Sequence, residues 1–185
     1  LGGLVIRVAV RRARGLEPGE IDDVVMGCAV PEGEQGMILG RICSALAGLP
    51  NTVSAMTVNR YCSSGLQAIA IAAQQIAGGM AEVCVAGGAE SMSRVYTNWK
   101  VAPNPTLMAQ APSHYMGMGH TAEQVARRFN ISREDQDQFG LTSHQRAGAA
   151  IPAGKFRDAT VPGTFQRHSL HEGKAVAQDV TFDTG

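Results

Sequence analysis

An α/β fold with a parallel sheet is the architecture this sequence predicts, on three observations. Apolar segments at helical spacing alternate with short apolar runs in the order helix, strand, helix, strand, helix, strand. That alternation places helices over a parallel sheet. Only 17% of the 185 residues are charged, and 22 are glycine, against usual shares of about 25% and 7%. Finally, Tyr61–Ala81 contains no charged residue at all, as suits a helix enclosed between layers.

The elements follow in order. Leu1, Leu4, Val5 and Val8 recur at helical spacing, with Arg7, Arg11, Arg12 and Arg14 around or after them, where a helix C-terminus favours cations. Leu16-Glu17-Pro18-Gly19 is a turn, and Ile21-Asp22-Asp23 leads into a buried strand over Val24–Val30. Met37, Ile38, Ile42, Leu46 and Leu49 mark a second helix, ended by Pro50. A second strand is expected at Val53–Val58, a third helix at Ser63–Ala77, and a third strand at Glu82–Ala86, ending at Gly87-Gly88. Residues Arg94–Tyr115 are rich in Pro, Asn, Met and Ala without a clean period, so a boundary is placed near Ser93. Helical signals return at Thr121–Phe129, with Thr121 and Gln124 as a capping box, and at Ser132–Ala150, with Ser132 as N-cap. The tail is polar, with a short strand expected at Val180–Phe182.

Composition excludes several classes. A disordered chain is poorer in apolar residues and carries a large net charge; here 44% are hydrophobic and the formal net charge is zero. Without a basic excess, nothing neutralises the phosphates of a nucleic acid. The uncharged stretch Tyr61–Ala81 approaches the length of a membrane span, yet it holds Ser63, Ser64, Gln67, Gln74, Gln75 and Gly78-Gly79, which favours burial between layers. The cysteines Cys28, Cys43, Cys62 and Cys84 show no C-x-x-C spacing and no His-rich surroundings, so no metal site is expected. They read as free thiols of a reducing compartment. No secretory leader is evident. The chain opens at Leu1-Gly2-Gly3 without an initiator Met and stops just after Asp179-Val180-Thr181-Phe182. It therefore reads as a segment of a longer protein, whose targeting peptide, if any, lies outside it.

Cys62 stands where a strand gives way to the uncharged helix. A thiol there lies near unpaired backbone N–H groups and the positive end of a helix dipole, both of which favour the thiolate. The small residues Ser63, Ser64 and Gly65 leave room for a carbonyl to approach and for backbone N–H groups to face an oxyanion. That is the logic of a nucleophile elbow with sulfur in place of oxygen. A thiol that merely packs at a helix start satisfies the same pattern, and the residues alone leave both readings open.

Four blocks narrow the choice. Val58-Asn59-Arg60-Tyr61-Cys62-Ser63-Ser64-Gly65-Leu66-Gln67-Ala68 closely resembles the nucleophile motif of thiolases. Val85-Ala86-Gly87-Gly88-Ala89-Glu90-Ser91-Met92-Ser93 resembles the family's glycine-rich strand end. Met118-Gly119-His120-Thr121-Ala122-Glu123 and Ile131-Ser132-Arg133-Glu134-Asp135-Gln136-Asp137 resemble the start of its loop-domain helices. The blocks occur in family order and cover essentially the whole chain.

The resemblance implies a thiolase-like layered α/β fold. Residues 1–93 would be an N-terminal core domain with a mixed sheet, its first strand missing, and a buried nucleophile helix. Residues 94–185 would be an incomplete, inserted helical loop domain. It implies an acyl-CoA C-acyltransferase in which Cys62 is acylated and its backbone N–H contributes to an oxyanion hole. Coenzyme A and acyl-CoA would be substrates, with no metal or redox cofactor. The family forms homodimers or homotetramers, and a β-oxidation multienzyme partner, a cytoplasmic location and no membrane span are further expectations. The Arg60–Gln67 version is nearer the degradative, 3-ketoacyl-CoA branch than the acetoacetyl-CoA-forming biosynthetic branch. A ketosynthase and a catalytically silent thiolase-like protein are the alternatives; the loop-domain blocks argue against the first and Cys62 against the second.

The family also uses a histidine in a Gly-His-Pro block and a second cysteine in a C-x-G block, both in its C-terminal half. None of His114, His120, His144, His168 and His171 has that context, and Cys84 is followed by Val85-Ala86 rather than x-Gly. Cys84 is expected in a core strand, and the segment alone is expected to turn over negligibly. By resemblance Met118 matches a position lining the CoA pantetheine, although Gly117 replaces a neighbouring family histidine; packing within the loop domain is an equal reading. Met92, Met108 and Met116 read as flexible core filler rather than an acyl tunnel. Arg94, Lys100, Arg127 and Arg128 read as surface charge rather than CoA-phosphate ligands. Gly117-Met118-Gly119-His120-Thr121-Ala122 fits a dinucleotide fingerprint only formally, because no strand precedes it.

Overall fold

The computed structural model describes residues 1–93, 101–171 and 174–182. The chain folds as two units, Leu1–Lys100 and Val101–Gly185. The first runs α1 (Gly2–Arg12), β1 (Asp23–Gly27), α2 (Leu39–Ala47), β2 (Ser54–Val58), α3 (Ser64–Ala77) and β3 (Cys84–Gly88), the six elements expected, in order. The strands pair in the order β2-β1-β3, both pairings parallel, with Gly27 opposite Val58 on one side and Gly88 on the other.

The central strand β1 is buried along its whole length, and its alternation separates two layers. Val24 and Met26 belong to one apolar cluster with Ile6 and Val10 of α1 and Leu39, Cys43 and Ala47 of α2. The intervening positions meet α3: a Cβ added at Gly27 would fall 2.3 Å from the Ser64 carbonyl carbon. The crossover from β1 to β2 and the one from β2 back past β1 to β3 run in opposite directions across the sheet, so right-handed connections place α2 and α3 on opposite faces. The sheet expected to be mixed is parallel throughout the described strands of this unit, because each connection passes through a helix and returns in the same direction.

Two boundaries shift for identifiable reasons. β3 begins at Cys84 rather than Glu82, because the Asp22 carboxylate accepts from the Glu82 and Val83 N–H groups, at 2.7 and 3.0 Å. These bonds hold the Asp22 carboxyl below its ordinary value, the Val83 bond first. β1 ends at Gly27, beyond which the Ala29 N–H turns to the Glu90 carboxylate at 2.6 Å. The helix expected to be buried between layers is covered on one face only: Ser64, Ala68 and Ala72 are buried, whereas Leu66 is 71% and Ile69 54% exposed.

The second unit contains α4 (Pro105–Gln110), α5 (Met118–Phe129), α6 (Arg133–Ala150), β4 (Gly163–His171) and β5 (Lys174–Phe182). Ser132 caps α6 as expected, its side chain accepting from the Asp135 N–H at 3.0 Å. The expected capping box at Thr121 and Gln124 is corrected. α5 starts three residues earlier, with Gly117 as N-cap, and the Thr121 hydroxyl donates to the Gly117 carbonyl from inside the helix. α4 was not expected; its signals are Asn104, whose side chain accepts from the Leu107 N–H, and Pro105 in the first turn. The short strand expected at Val180–Phe182 is the end of a nine-residue strand, paired antiparallel with β4 from Gly163–Phe182 to His171–Lys174. No helix among the described residues is long and apolar enough to cross a membrane.

Candidate active site

Of the four cysteines, all free, Cys62 alone is exposed. It lies in a single 3-10 turn, Tyr61–Ser63, between β2 and α3, at the carboxyl ends of the parallel strands. Open parallel sheets bind ligands at that end. Burial pushes the Cys28 thiol up to about 11, with the Glu90 carboxylate adding to the effect, and burial also raises Cys43. Cys84, at the start of β3, is raised by burial and by Asp23 and Asp22, and its thiol reaches the Gln75 side-chain oxygen at 3.6 Å. All three are held towards the protonated thiol, and Cys84 sits in a strand as expected but is only half-buried there.

The turn is sharply bent. Tyr61 takes φ +46°, a left-handed conformation that costs a non-glycine residue about 1–2 kcal/mol. Three bonds oppose that cost. The Tyr61 N–H donates to the Asn59 Oδ1 at 2.9 Å, the Ser64 hydroxyl donates to the Tyr61 carbonyl at 2.6 Å, and the Arg60 N–H donates to the Ser64 Oγ at 2.9 Å. The Ser63 hydroxyl and N–H both donate to the Arg60 carbonyl. Among the described residues the Cys62 N–H donates to no backbone carbonyl, so it is a free donor beside the sulfur.

Close backbone approach seats the turn. Ser64 and Gly65 rest on Gly27, where a Cβ would meet the Gly65 nitrogen at 2.5 Å, and a Cβ on Gly88 would meet the Gly65 Cα at 3.3 Å. Three glycines thus let the first turn of α3 sink onto β1 and β3. Around them runs a polar network. Glu90 accepts from the Ala29 N–H, from the Cys28 thiol at 3.6 Å and from the Gln35 amide at 2.7 Å. Gln35 also donates to the Val30 carbonyl at 2.8 Å and accepts from the Ser91 N–H. Asn59 completes the circuit by donating to the Ala29 carbonyl at 2.9 Å. Sequence reading passed over Gly27, Gln35, Asn59 and Glu90 as functional supports. The signal available was glycine at the ends of two strands, Gly27 of β1 and Gly88 of β3.

Met108, Met116, Met118, Arg127 and Arg128 belong to the other unit. Met118 opens α5 and is exposed, as are Met92, Met108 and Met116 to differing degrees, so none of these methionines fills a packed core. Arg127 and Arg128 sit in the last turn of α5, the Arg128 guanidinium 5.8 Å from the Phe129 ring centre. Arg94 and Lys100 lie outside the described residues. A cleft of about 280 Å³ between α1 and the end of β3 is lined by Val5, Ile6, Met26 and Val85 through Glu90; Cys62 is not among its lining residues. Among the described residues no cluster of His, Cys, Asp and Glu has the arrangement of a metal site.

A family model described as "Thiolase, N-terminal domain" matches residues 1–184. The chain belongs to the thiolase family. It is 55% identical over 163 residues to a 3-ketoacyl-CoA thiolase of Bacillus subtilis, covering 88% of the chain and 41% of that protein. Identity is 41% over 196 residues to the beta-ketothiolase BktB of Cupriavidus necator, covering all of the chain and 48% of the relative. It is 41% over 160 residues to the peroxisomal 3-ketoacyl-CoA thiolase 2 of Arabidopsis thaliana, covering 85% of the chain and 34% of the relative. The chain thus spans less than half the length of these thiolases.

Proposed function

We propose that this chain supplies the nucleophile of a thiolase acting as an acyl-CoA C-acyltransferase. The observation that carries the reading is the placement of Cys62, the exposed cysteine, on a bent turn at the start of α3, its own N–H donating to no backbone carbonyl among the described residues. In the degradative direction the Cys62 thiolate attacks the 3-keto carbon of a 3-ketoacyl-CoA. The free N–H stabilises the oxyanion. The bond between C2 and C3 then breaks, its electron pair passing to the acetyl-CoA fragment, which takes up a proton. The shortened acyl group stays on sulfur until the thiolate of CoA attacks it, releasing the new acyl-CoA and regenerating Cys62. Run backwards, the same steps are a Claisen condensation. The proton donors and acceptors are the Gly-His-Pro histidine and the C-x-G cysteine that the family carries in its C-terminal half.

In this reading residues 1–93 belong to the core domain and 94–185 to the loop domain, where Met118 contacts the pantetheine of CoA. The names of the Bacillus and Arabidopsis relatives support the 3-ketoacyl-CoA branch; a place in β-oxidation, a cytoplasmic location and a homo-oligomeric assembly are part of the same proposal. The test is to incubate the complete protein with acetyl-CoA and map its peptides by mass spectrometry. One acetyl group on the Cys62 peptide, lost in Cys62→Ala, is expected. An adduct that survives Cys62→Ala, or none at all, removes the assignment. Reaction only with carrier-protein thioesters favours a ketosynthase.

A further inference from the structure

We propose that Asn59 is the positioning residue of the nucleophile turn, and that both ends of its side-chain amide are needed. The inference deepens the thiolase reading and rests on it for its kinetic consequences. The Asn59 Oδ1 accepts from the N–H of Tyr61, the residue held at φ +46° immediately before Cys62. The Asn59 Nδ2 donates to the Ala29 carbonyl, just beyond β1. Ala29 is itself clamped from its other side, its N–H donating to Glu90 beyond β3. Asn59 therefore ties the bend that presents Cys62 to the ends of the central and an outer strand. Without its Oδ1 the left-handed Tyr61 loses the acceptor for its N–H; without its Nδ2 the turn loses its side-chain tie to the chain just beyond β1.

No other amino acid supplies both contacts with the same reach. Aspartate matches the shape and keeps the acceptor for Tyr61, but sets a carboxylate oxygen against the Ala29 carbonyl. Alanine removes both contacts. Reaction rates are sensitive to such shifts, because misplacing a reacting group by about 1 Å costs on the order of 100-fold.

The test compares the complete wild-type protein with Asn59→Ala and Asn59→Asp. Thiolysis of acetoacetyl-CoA by CoA and the rate of Cys62 alkylation by iodoacetamide are the two readouts. Asn59→Ala should lower kcat about 100-fold with KM changed only a few-fold. Alkylation of Cys62 should slow while Cys28 and Cys43 stay protected. Asn59→Asp should lose about tenfold in kcat, the scale of one hydrogen bond. Adding Tyr61→Gly to Asn59→Ala should restore part of the loss, because glycine adopts the left-handed conformation unaided. Wild-type kcat and alkylation in either folded variant overturns the proposal. So does alkylation that rises together at Cys28, Cys43 and Cys62, which marks a loss of fold rather than of position. Should Asn59→Ala fail to fold, Asn59→Asp decides alone. If the wild-type protein forms no acyl adduct, the thiolase reading fails, and the alkylation rates still judge Asn59.

Discussion

Four cysteines of one chain differ here only by where they sit. Cys62 faces solvent on a bent turn, while Cys28 is buried between the strand ends with its thiol pointed at Glu90. The raised Cys28 thiol has a measurable consequence. Its value is about 11 in the folded chain against an ordinary 9.0, so between those values the folded state holds the proton more tightly than the unfolded state. The contribution of this group to stability is then fully present below pH 9 and is lost as pH rises towards 11. Cys28→Ala should flatten that alkaline decline, seen as Tm against pH in parallel with wild type. An unchanged slope would mean that Cys28 does not carry the effect. The sequence marked Cys62 through its neighbours, the small residues after it and the strand before it. It held no hint of Glu90 as the partner of Cys28, since those residues are 62 positions apart and meet only because β1 and β3 lie side by side.

At the level of the elements, the register of one helix on one sheet decides where the Cys62 turn stands. α3 approaches β1 so closely that Gly27 has no room for a methyl group: a Cβ there would lie 2.3–2.5 Å from three backbone atoms of Ser64 and Gly65. Backbone atoms have no rotamer by which to give way. Gly27→Ala should therefore lift the start of α3, at a cost of about 1–3 kcal/mol, read from the urea midpoint, and should slow acylation of Cys62 as well. Normal stability with full acylation would show that the helix start is free to move. The six elements of the first unit were legible because buried parallel strands and amphipathic helices write strong periods. The hairpin of the second unit was not. It is a two-stranded ribbon held by cross-strand contacts such as Thr164 with Thr181 and Phe165 with Phe182. Its connecting His171-Glu172-Gly173-Lys174 lacks the Asn-Gly or Asp-Gly pair that announces a tight turn.

For the molecule as a whole, the exposed side of α3 and the family blocks point the same way. Ser64, Ala68 and Ala72 are covered, while Leu66, Ile69 and Ile76 face outward, although this stretch carries no charge to solvate that face. The activity proposed above also needs an acid and a base that this chain does not place in the family's contexts. General acid–base catalysis contributes about 10²–10⁴-fold. The 185-residue chain on its own should therefore turn over acetoacetyl-CoA at least about 100-fold more slowly than the complete protein, measured as CoA-dependent loss of the 3-ketoacyl absorbance. Comparable turnover by the two would mean that the chain holds its own acid and base.

The sequence by itself determined the α/β class, the order of the first six elements and the family, and it placed Cys62 at the junction of a strand and a helix. Each of these is written in local periodicity or in contiguous motifs. Only the tertiary structure decided what holds Cys62 in place. The seat formed by Gly27, Gly65 and Gly88 and the circuit of Asn59, Ala29, Glu90 and Gln35 join residues from three strand ends. The physical reason is that hydrogen bonds and close packing depend on distance in space. A parallel sheet with helical crossovers brings together, at one edge, residues that the chain keeps far apart.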